Sequence, residues 1–271
     1  MFWAVHKLGA AVSTANPGYC SSELAYQLKD SDATALITSS ALLPTALKAI
    51  EECPSISPNR VFLIDGKAHA KQTTIEQLIK NGRNIKEPLV PLKLSKGEAK
   101  ERLAFICYSS GTTGLPKGVM ISHYNVIANV LQIALLFKDF DVAKRDITLC
   151  MLPLYHIYGI AHDFATLISG LVWVLHAELY IGNTIIIVSA FEFSSLLSYI
   201  QKYRMTKLFL VPPVVVRLVK DSLTQKYDLS SLEQITCGAA PLGSDPTVQM
   251  RSKFKGIIFK QGNSSPRMRL M

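Results

Sequence analysis

Short, continuous apolar runs rich in β-branched residues alternate along the chain with longer stretches whose apolar positions recur at helical spacing. The runs predict strands over Thr34–Thr38, Val61–Ile64, Ala104–Tyr108, Thr148–Leu152, Ile185–Val188, Lys207–Val211 and Ile235–Cys237. The helical spacing predicts helices within Ser22–Lys29, Ala41–Ile50, Thr74–Asn81, His123–Leu136, Ser194–Tyr203 and Val214–Asp221, and Phe2–Val5 reads as the middle of another. Strand followed by helix, repeated, is the pattern of an α/β fold. Strands that are apolar on both faces belong to a mostly parallel sheet with helices flanking both sides. The polar segment 81–101, with Pro88 and Pro91, reads as a connection between a front α/β part over 1–80 and a core region over 102–262.

Composition narrows the class without naming a function. The 271 residues are 49% hydrophobic and 18% charged, which excludes a disordered or low-complexity chain. Much of the formal charge of +9 sits in residues 251–271, where Arg251, Lys253, Lys255, Lys260, Arg267 and Arg269 meet no acidic residue. No nucleic-acid recognition motif accompanies these bases, so no nucleic acid partner is expected and the end of the chain reads as a solvated basic tail. The five cysteines are odd in number, widely spaced and without a CxxC pair, which points away from zinc sites and disulfide frameworks and toward a reducing compartment. Cys107, Cys150 and Cys237 lie in apolar runs, as small buried hydrophobes do.

No basic region followed by a sustained apolar stretch opens the chain, and Arg269-Leu270-Met271 lacks the small residue that begins a Ser-Lys-Leu signal. The most membrane-like run, Phe164–Leu175, is 12 residues long, whereas a spanning helix needs about 20. A cytoplasmic protein without integral membrane insertion is the expectation.

The sharpest chemical signal is Tyr108-Ser109-Ser110-Gly111-Thr112-Thr113-Gly114-Leu115-Pro116-Lys117-Gly118-Val119. A strand runs into seven residues dominated by Ser, Thr and Gly. Glycines let backbone amides turn toward an anion, hydroxyls add donors, and Lys117 supplies a mobile positive charge, a combination suited to polyphosphate. After Val119–Ile121, Ser122 is placed to cap a helix that begins at His123. The run is not a Walker A loop, because proline precedes Lys117 and glycine follows it. A surface turn of small polar residues is the plainer reading of any one of its parts.

Taken together, this run resembles the signature of the adenylate-forming (AMP-binding) superfamily, in particular the acyl- and aryl-acid–CoA ligases such as 4-coumarate–CoA ligase and the related luciferases. Such enzymes activate a carboxylic acid with ATP and Mg2+ as an acyl-adenylate, and most then pass the acyl group to coenzyme A. The resemblance implies the large N-terminal domain of that superfamily as the fold. It also implies that Ser109, Ser110, Gly111, Thr112, Thr113, Gly114 and Lys117 hold the ATP phosphates, Lys117 with a catalytic role. Further segments agree in order. Met151-Leu152-Pro153-Leu154-Tyr155-His156-Ile157-Tyr158-Gly159 resembles the family's second core motif and implies that His156 lies near the pocket for an aryl or acyl acid, as a positioner more than a base. By residue chemistry alone, a histidine satisfied within the fold is an equal reading. Pro212-Pro213 suits a helix entrance. Gly238-Ala239-Ala240-Pro241 resembles the family's small-residue approach to acid and adenine, with close packing at a strand end as the alternative.

The pattern also departs from the family. After Gln261-Gly262 the chain reads Asn263-Ser264-Ser265-Pro266 where members continue Tyr-Gly-x-Thr-Glu, so the family's adenine-stacking aromatic, phosphate-contacting Thr and magnesium-associated Glu have no counterpart. The residues Ile160–Gly170 form an atypical insertion, either a surface loop or a translated intron. The expectation is a member shortened at both ends, without the small C-terminal domain and with a divergent basic tail over 263–271, whose turnover is impaired. Two other readings stand beside it. One is a non-catalytic nucleotide-binding or interaction remnant with a partner protein; the other is a luciferase-like or other adenylating enzyme with a different acceptor.

Overall fold

The computed structural model describes residues 1–66, 72–87, 89–109, 115–136, 145–150, 169–188, 191–238 and 242–261. They fall into two compact units, Met1–Asn125 and Val126–Met271.

The first unit contains, in chain order, α1 (Phe2–Lys7), β1 (Val12–Thr14), α2 (Ser21–Asp30), β2 (Leu36–Thr38), α3 (Leu43–Ile50), β3 (Val61–Leu63), α4 (Ile75–Gly82), α5 (Glu98–Glu101), β4 (Leu103–Ser109) and β5 (Lys117–Ser122), and α6 (His123–Leu136) begins in it. Local chemistry sets several of the boundaries. Glu23 accepts from the Cys20 amide at 2.8 Å at the start of α2, and Thr74 and Gln77 cap α4 reciprocally at 2.8 and 3.1 Å. The apolar positions Leu24, Ala25 and Leu28 of α2 share one helical face and pack with Leu43, Ala49 and Ile50 of α3 over Val61 and Leu63 of β3. Strands β2 and β3 form a parallel pair, while β1, β4 and β5 form a separate sheet in that order. Phe105 of β4 is fully buried, with Phe2 edge-on at 5.7 Å and the His6 ring at 4.8 Å. His6 Nε2 lies 2.9 Å from the Ala104 carbonyl, so that nitrogen carries the proton and donates it.

The second unit contains β6 (Ile147–Cys150), a wide-turned π-helix over Ser169–Ala177, α7 (Glu178–Ile181), β7 (Thr184–Ile187), α8 (Phe193–Tyr203), β8 (Lys207–Leu210), α9 (Pro212–Lys220), β9 (Gln234–Cys237), α10 (Ser244–Lys253) and β10 (Ile258–Gln261). Its five described strands are all parallel, in the order β10-β9-β8-β6-β7. The period-2 alternation of strands sends Leu208, Leu210, Ile235 and Cys237 to one face. There they pack with Leu196, Leu197 and Ile200 of α8, Val215 and Leu218 of α9 and Met250 of α10. On the other face Cys150 and Phe209 pack with Val174.

The α/β class is as the sequence implies, with one exception to the parallel rule: β4 and β5 are antiparallel. Strands β1 and β10, three and four residues long, and helix α10 are additions that the apolar pattern did not mark. The strand predicted over Thr34–Thr38 begins only at Leu36, and β8 stops at Leu210 because Val211 precedes Pro212, where extended backbone leads straight into α9. Helix α9 accordingly begins at Pro212 rather than Val214. The predicted strand Thr148–Leu152 is described through Cys150, and Met151 and Leu152 lie outside the described residues. Among the described residues no helix is long and apolar enough to cross a membrane.

Candidate functional site

The predicted phosphate loop is the connection of a β-hairpin. Ser109 at the end of β4 pairs with Lys117 at the start of β5, and Tyr108 pairs with Gly118. Residues directly opposite in an antiparallel pair send their side chains to the same face, about 5 Å apart at Cβ. The half-buried Ser109 hydroxyl and the exposed Lys117 ammonium therefore share the mouth of the hairpin, a donor and a cation side by side. Ser110, Gly111, Thr112, Thr113 and Gly114 lie outside the described residues.

Both ends of the hairpin are tied to α2. The Tyr26 hydroxyl donates to the Pro116 carbonyl at 3.0 Å, and the Tyr108 hydroxyl donates to Asp30 Oδ2 at 2.5 Å. Burial, reinforced by the Asp30 carboxylate, pushes the Tyr108 phenol far above its ordinary range, so the proton stays on the tyrosine oxygen. The Tyr108 ring lies so close to β5 that a Cβ on Gly118 would stand 3.1 Å from Tyr108 Cζ and 3.0 Å from Ile106 Cγ2. Glycine at 118 thus serves close approach. Beyond the hairpin, Ser122 and Asn125 cap α6: the Asn125 amide donates to Ser122 Oγ at 3.2 Å and the Ser122 amide to Asn125 Oδ1 at 3.0 Å. That helix starts where the serine signal placed it.

In the second unit the strand order reverses between β6 and β8, and in open parallel sheets ligands bind beyond the carboxyl ends of the strands at such a reversal. The segment carrying His156 follows the carboxyl end of β6 in the chain; His156 itself lies outside the described residues. Gly238 follows β9, and its amide donates to the Leu210 carbonyl at the end of β8 at 3.0 Å. Among the described residues a Cβ on Gly238 would meet nothing within 4 Å, so this glycine is not needed for packing against a described neighbour. Ala239, Ala240 and Pro241 lie outside the described residues.

The amino ends of the same strands hold a buried charge network that the sequence did not reveal. Lys207 Nζ lies 2.6 Å from Asp146 Oδ2, and the Thr206 hydroxyl donates to Asp146 Oδ1 at 2.8 Å. The Asp146 amide donates to Asn183 Oδ1 at 3.0 Å, and Asn183 Nδ2 donates to Glu178 Oε2 at 2.7 Å. Burial raises the Glu178 carboxyl above its ordinary value, against the pull of Lys207 and Asn183. The signal missed was one of distance along the chain, since Asp146 and Lys207 stand far apart and Lys207 reads only as the start of an apolar strand. Among the described residues no three His, Cys, Asp or Glu side chains gather so as to hold a metal ion. Burial pushes the Cys150 and Cys237 thiols up to about 11, which suits packing rather than nucleophilic chemistry.

Comparison with known proteins gives this geometry its context. The family described as AMP-binding enzyme matches residues 1–262. Peroxisomal OPC-8:0-CoA ligase 1 of Arabidopsis thaliana is 38% identical over 266 residues, 96% of this chain and 44% of that protein. 4-Coumarate–CoA ligase 3 of the same plant is 32% identical over 267 residues, 96% of this chain and 43% of its own length. Among solved structures, a red-emitting luciferase from Phrixothrix hirtus aligns with a TM-score of 0.76 at 28% identity, over 94% of this chain and 46% of the luciferase. A long-chain-fatty-acid-CoA ligase from Archaeoglobus fulgidus aligns with a TM-score of 0.72 at 27% identity, over 96% of this chain and 48% of that one. The chain spans less than half the length of each of these proteins. A family match that takes in the Ser109–Lys117 hairpin and the described strands of the parallel sheet leads to one conclusion: this chain belongs to the AMP-binding, adenylate-forming enzymes, in their acyl- and aryl-acid–CoA ligase branch.

Proposed function

We propose that these residues contribute to the ATP-dependent activation of an aryl or acyl carboxylic acid, first to an acyl-adenylate and then to a coenzyme A thioester. The observation that carries this reading is the pairing of Ser109 with Lys117 across the mouth of a Ser-, Thr- and Gly-rich hairpin in a chain matched to AMP-binding enzymes. In the proposed reaction a carboxylate oxygen attacks the α-phosphorus of ATP and pyrophosphate leaves. The coenzyme A sulfur then attacks the acyl carbon, and AMP leaves. Lys117, with Ser109, Ser110, Gly111, Thr112, Thr113 and Gly114, would hold and neutralise the phosphates, the task that dominates phosphoryl chemistry between two anions.

His156, following β6, and Gly238, Ala239, Ala240 and Pro241, following β9, would line the approach of the acid and the adenine. The place of Gly238 just beyond the carboxyl end of β9 supports that role, and the ligase names of the relatives support coenzyme A as acceptor. Magnesium would accompany ATP and offset phosphate charge. Lys117 and the hydroxyls of the loop would make the phosphate contacts beside it.

The domain reading proposed with this function is a front part over 1–80, a connection over 81–101 and an AMP-binding core over 102–262 with the insertion at 160–170. The chain alone is proposed to bind ATP while turning over slowly or not at all. Titration with ATP, followed by hydroxamate formation from a panel of acids with ATP and hydroxylamine, tests both halves. ATP binding without hydroxamate is the expected result. Rapid hydroxamate formation overturns the impairment, and absence of ATP binding overturns the reading.

A further inference from the structure

The hydrogen bonds that tie the hairpin to α2 are side-chain bonds between segments far apart in sequence. Tyr26 and Asp30 are four residues apart on α2 and therefore share one face of the helix. Tyr26 reaches the Pro116 carbonyl, immediately before Lys117, while Asp30 reaches the Tyr108 hydroxyl, immediately before Ser109. Between them, Gln27 Nε2 donates to Ser13 Oγ at 2.9 Å and to the Thr14 carbonyl at 3.2 Å, so the same helix also holds β1. The opposite side of α2 is fixed in the apolar core through Leu24, Ala25 and Leu28. The helix is thus a rigid post with one contact on each arm of the hairpin.

We propose that Tyr26 and Asp30 are positioning residues, which hold Pro116 and Tyr108 and thereby fix the separation of Ser109 and Lys117 at the mouth of the phosphate loop. The proposal rests on the ATP-binding reading above for its consequence, but not for its geometry. A phosphate-binding pair gains from being held before the anion arrives, because ordering it afterwards draws on binding energy. The Tyr108–Asp30 bond is of the short, charge-assisted type, roughly twice as strong as a neutral one. The close fit of Tyr108 beneath Gly118 passes its position on to β5. Asp30 itself is exposed, so its carboxylate is not needed to fill the core.

The test uses the full 271-residue chain and the variants Tyr26→Phe, Asp30→Ala, Tyr108→Phe and Asp30→Ala with Tyr108→Phe. Three quantities are followed: ATP dissociation constant, amide hydrogen exchange over residues 103–109 and 115–122, and melting temperature. Expected are a roughly fivefold to tenfold weaker ATP affinity in each single variant and faster exchange in the hairpin strands. The melting temperature of Tyr26→Phe and Asp30→Ala should change little. The double variant should be no worse than Tyr108→Phe alone, since Asp30 acts through that hydroxyl; a purely additive loss overturns this link. Unchanged affinity and unchanged exchange overturn the proposal. If the unmodified chain binds no ATP, the adenylation reading falls by itself, and hydrogen exchange alone decides whether α2 holds the hairpin.

Discussion

Lys207 and Asp146 form an ion pair at 2.6 Å in which the lysine side chain is only 4% exposed and the carboxylate 18%. The pair joins the amino ends of the neighbouring strands β6 and β8, and Asp146 also accepts from Thr206. Removing one partner of a buried pair strands the other charge, at a cost of roughly 3–5 kcal/mol. Lys207 also acts on the Glu178 carboxylate, so Asp146→Ala should lower the stability of the second unit by up to that much, measured by urea unfolding. Lys207→Met should cost less, because the carboxylate it leaves retains partial access to water. The reverse ranking would mean that the carboxylate, not the ammonium, is the expensive group to bury.

Glu178 gives a signed pH prediction. Its carboxyl is raised by burial first and by the neighbouring Asp146 charge last, with Lys207 and Asn183 acting in the opposite direction. The fold therefore favours the protonated acid. Its contribution is complete below the unfolded value of 4.5 and is lost as pH rises through the folded value. Glu178→Gln keeps an acceptor for Asn183 and removes the charge. Its melting temperature should exceed that of the parent chain at pH 8, by a few degrees, and the advantage should vanish by pH 4.5. A pH-independent difference would show that packing, not ionisation, is responsible.

Two histidines act on the other side of neutrality. His123 is lowered by burial and by Arg102, and His176 by burial, partly restored by its bond to the Leu171 carbonyl at 2.7 Å. A lowered imidazole stabilises the fold fully above the unfolded value of 6.5, and that stability is lost as pH falls through the folded value. With the opposing Glu178 contribution removed by Glu178→Gln, melting curves should move to lower temperature between pH 7 and pH 5. His123→Asn should make that decline shallower, and a decline of undiminished slope would assign it to other groups.

How much of this was written in the sequence depends on the range of the interactions. The start of helix α6 was legible to the residue, because Ser122 caps it locally. Pro212-Pro213 marked the entrance of α9 for the same local reason. The Ser-, Thr- and Gly-rich run from Ser109 to Lys117 was legible as composition, but the pairing of its ends across an antiparallel hairpin was not, since strand-then-helix alternation pointed to parallel neighbours. Strands β1 and β10 are too short to show a period and exist because β4 and β9 offer them an edge. Tyr26, Asp30 and Lys207 carry no local signature at all; their roles arise only when partners distant in sequence are brought to them.

Lys117 separates binding from folding. Its side chain is exposed, so Lys117→Ala should leave the melting temperature within about a degree of the parent. Loss of its charge should weaken ATP about tenfold, equivalent to some 1.4 kcal/mol. Calorimetric titration at two salt concentrations checks this, since the difference between parent and variant should shrink as ionic strength rises.

Leu208 is the contrasting case. It is fully buried in the apolar face of the parallel sheet, between β6 and β9. Leu208→Ala should destabilise by about 2–5 kcal/mol through lost burial and a residual cavity. The midpoint of urea unfolding should fall with its slope unchanged.

The distribution of sulfur in the fold turns the chain into its own conformational gauge. Of its five cysteines only Cys20, at the entrance of α2, is exposed, while Cys53, Cys107, Cys150 and Cys237 are buried. A maleimide pulse should therefore mark one site in the native protein and five in the unfolded one, with no engineered label. The identity of the labelled cysteines at an intermediate count of three, read from the digested protein, would report which unit opens first: Cys53 and Cys107 belong to the first, and Cys150 and Cys237 to the second. Mass spectrometry of pulse-labelled samples along a urea series could thus follow the two units separately in a single experiment.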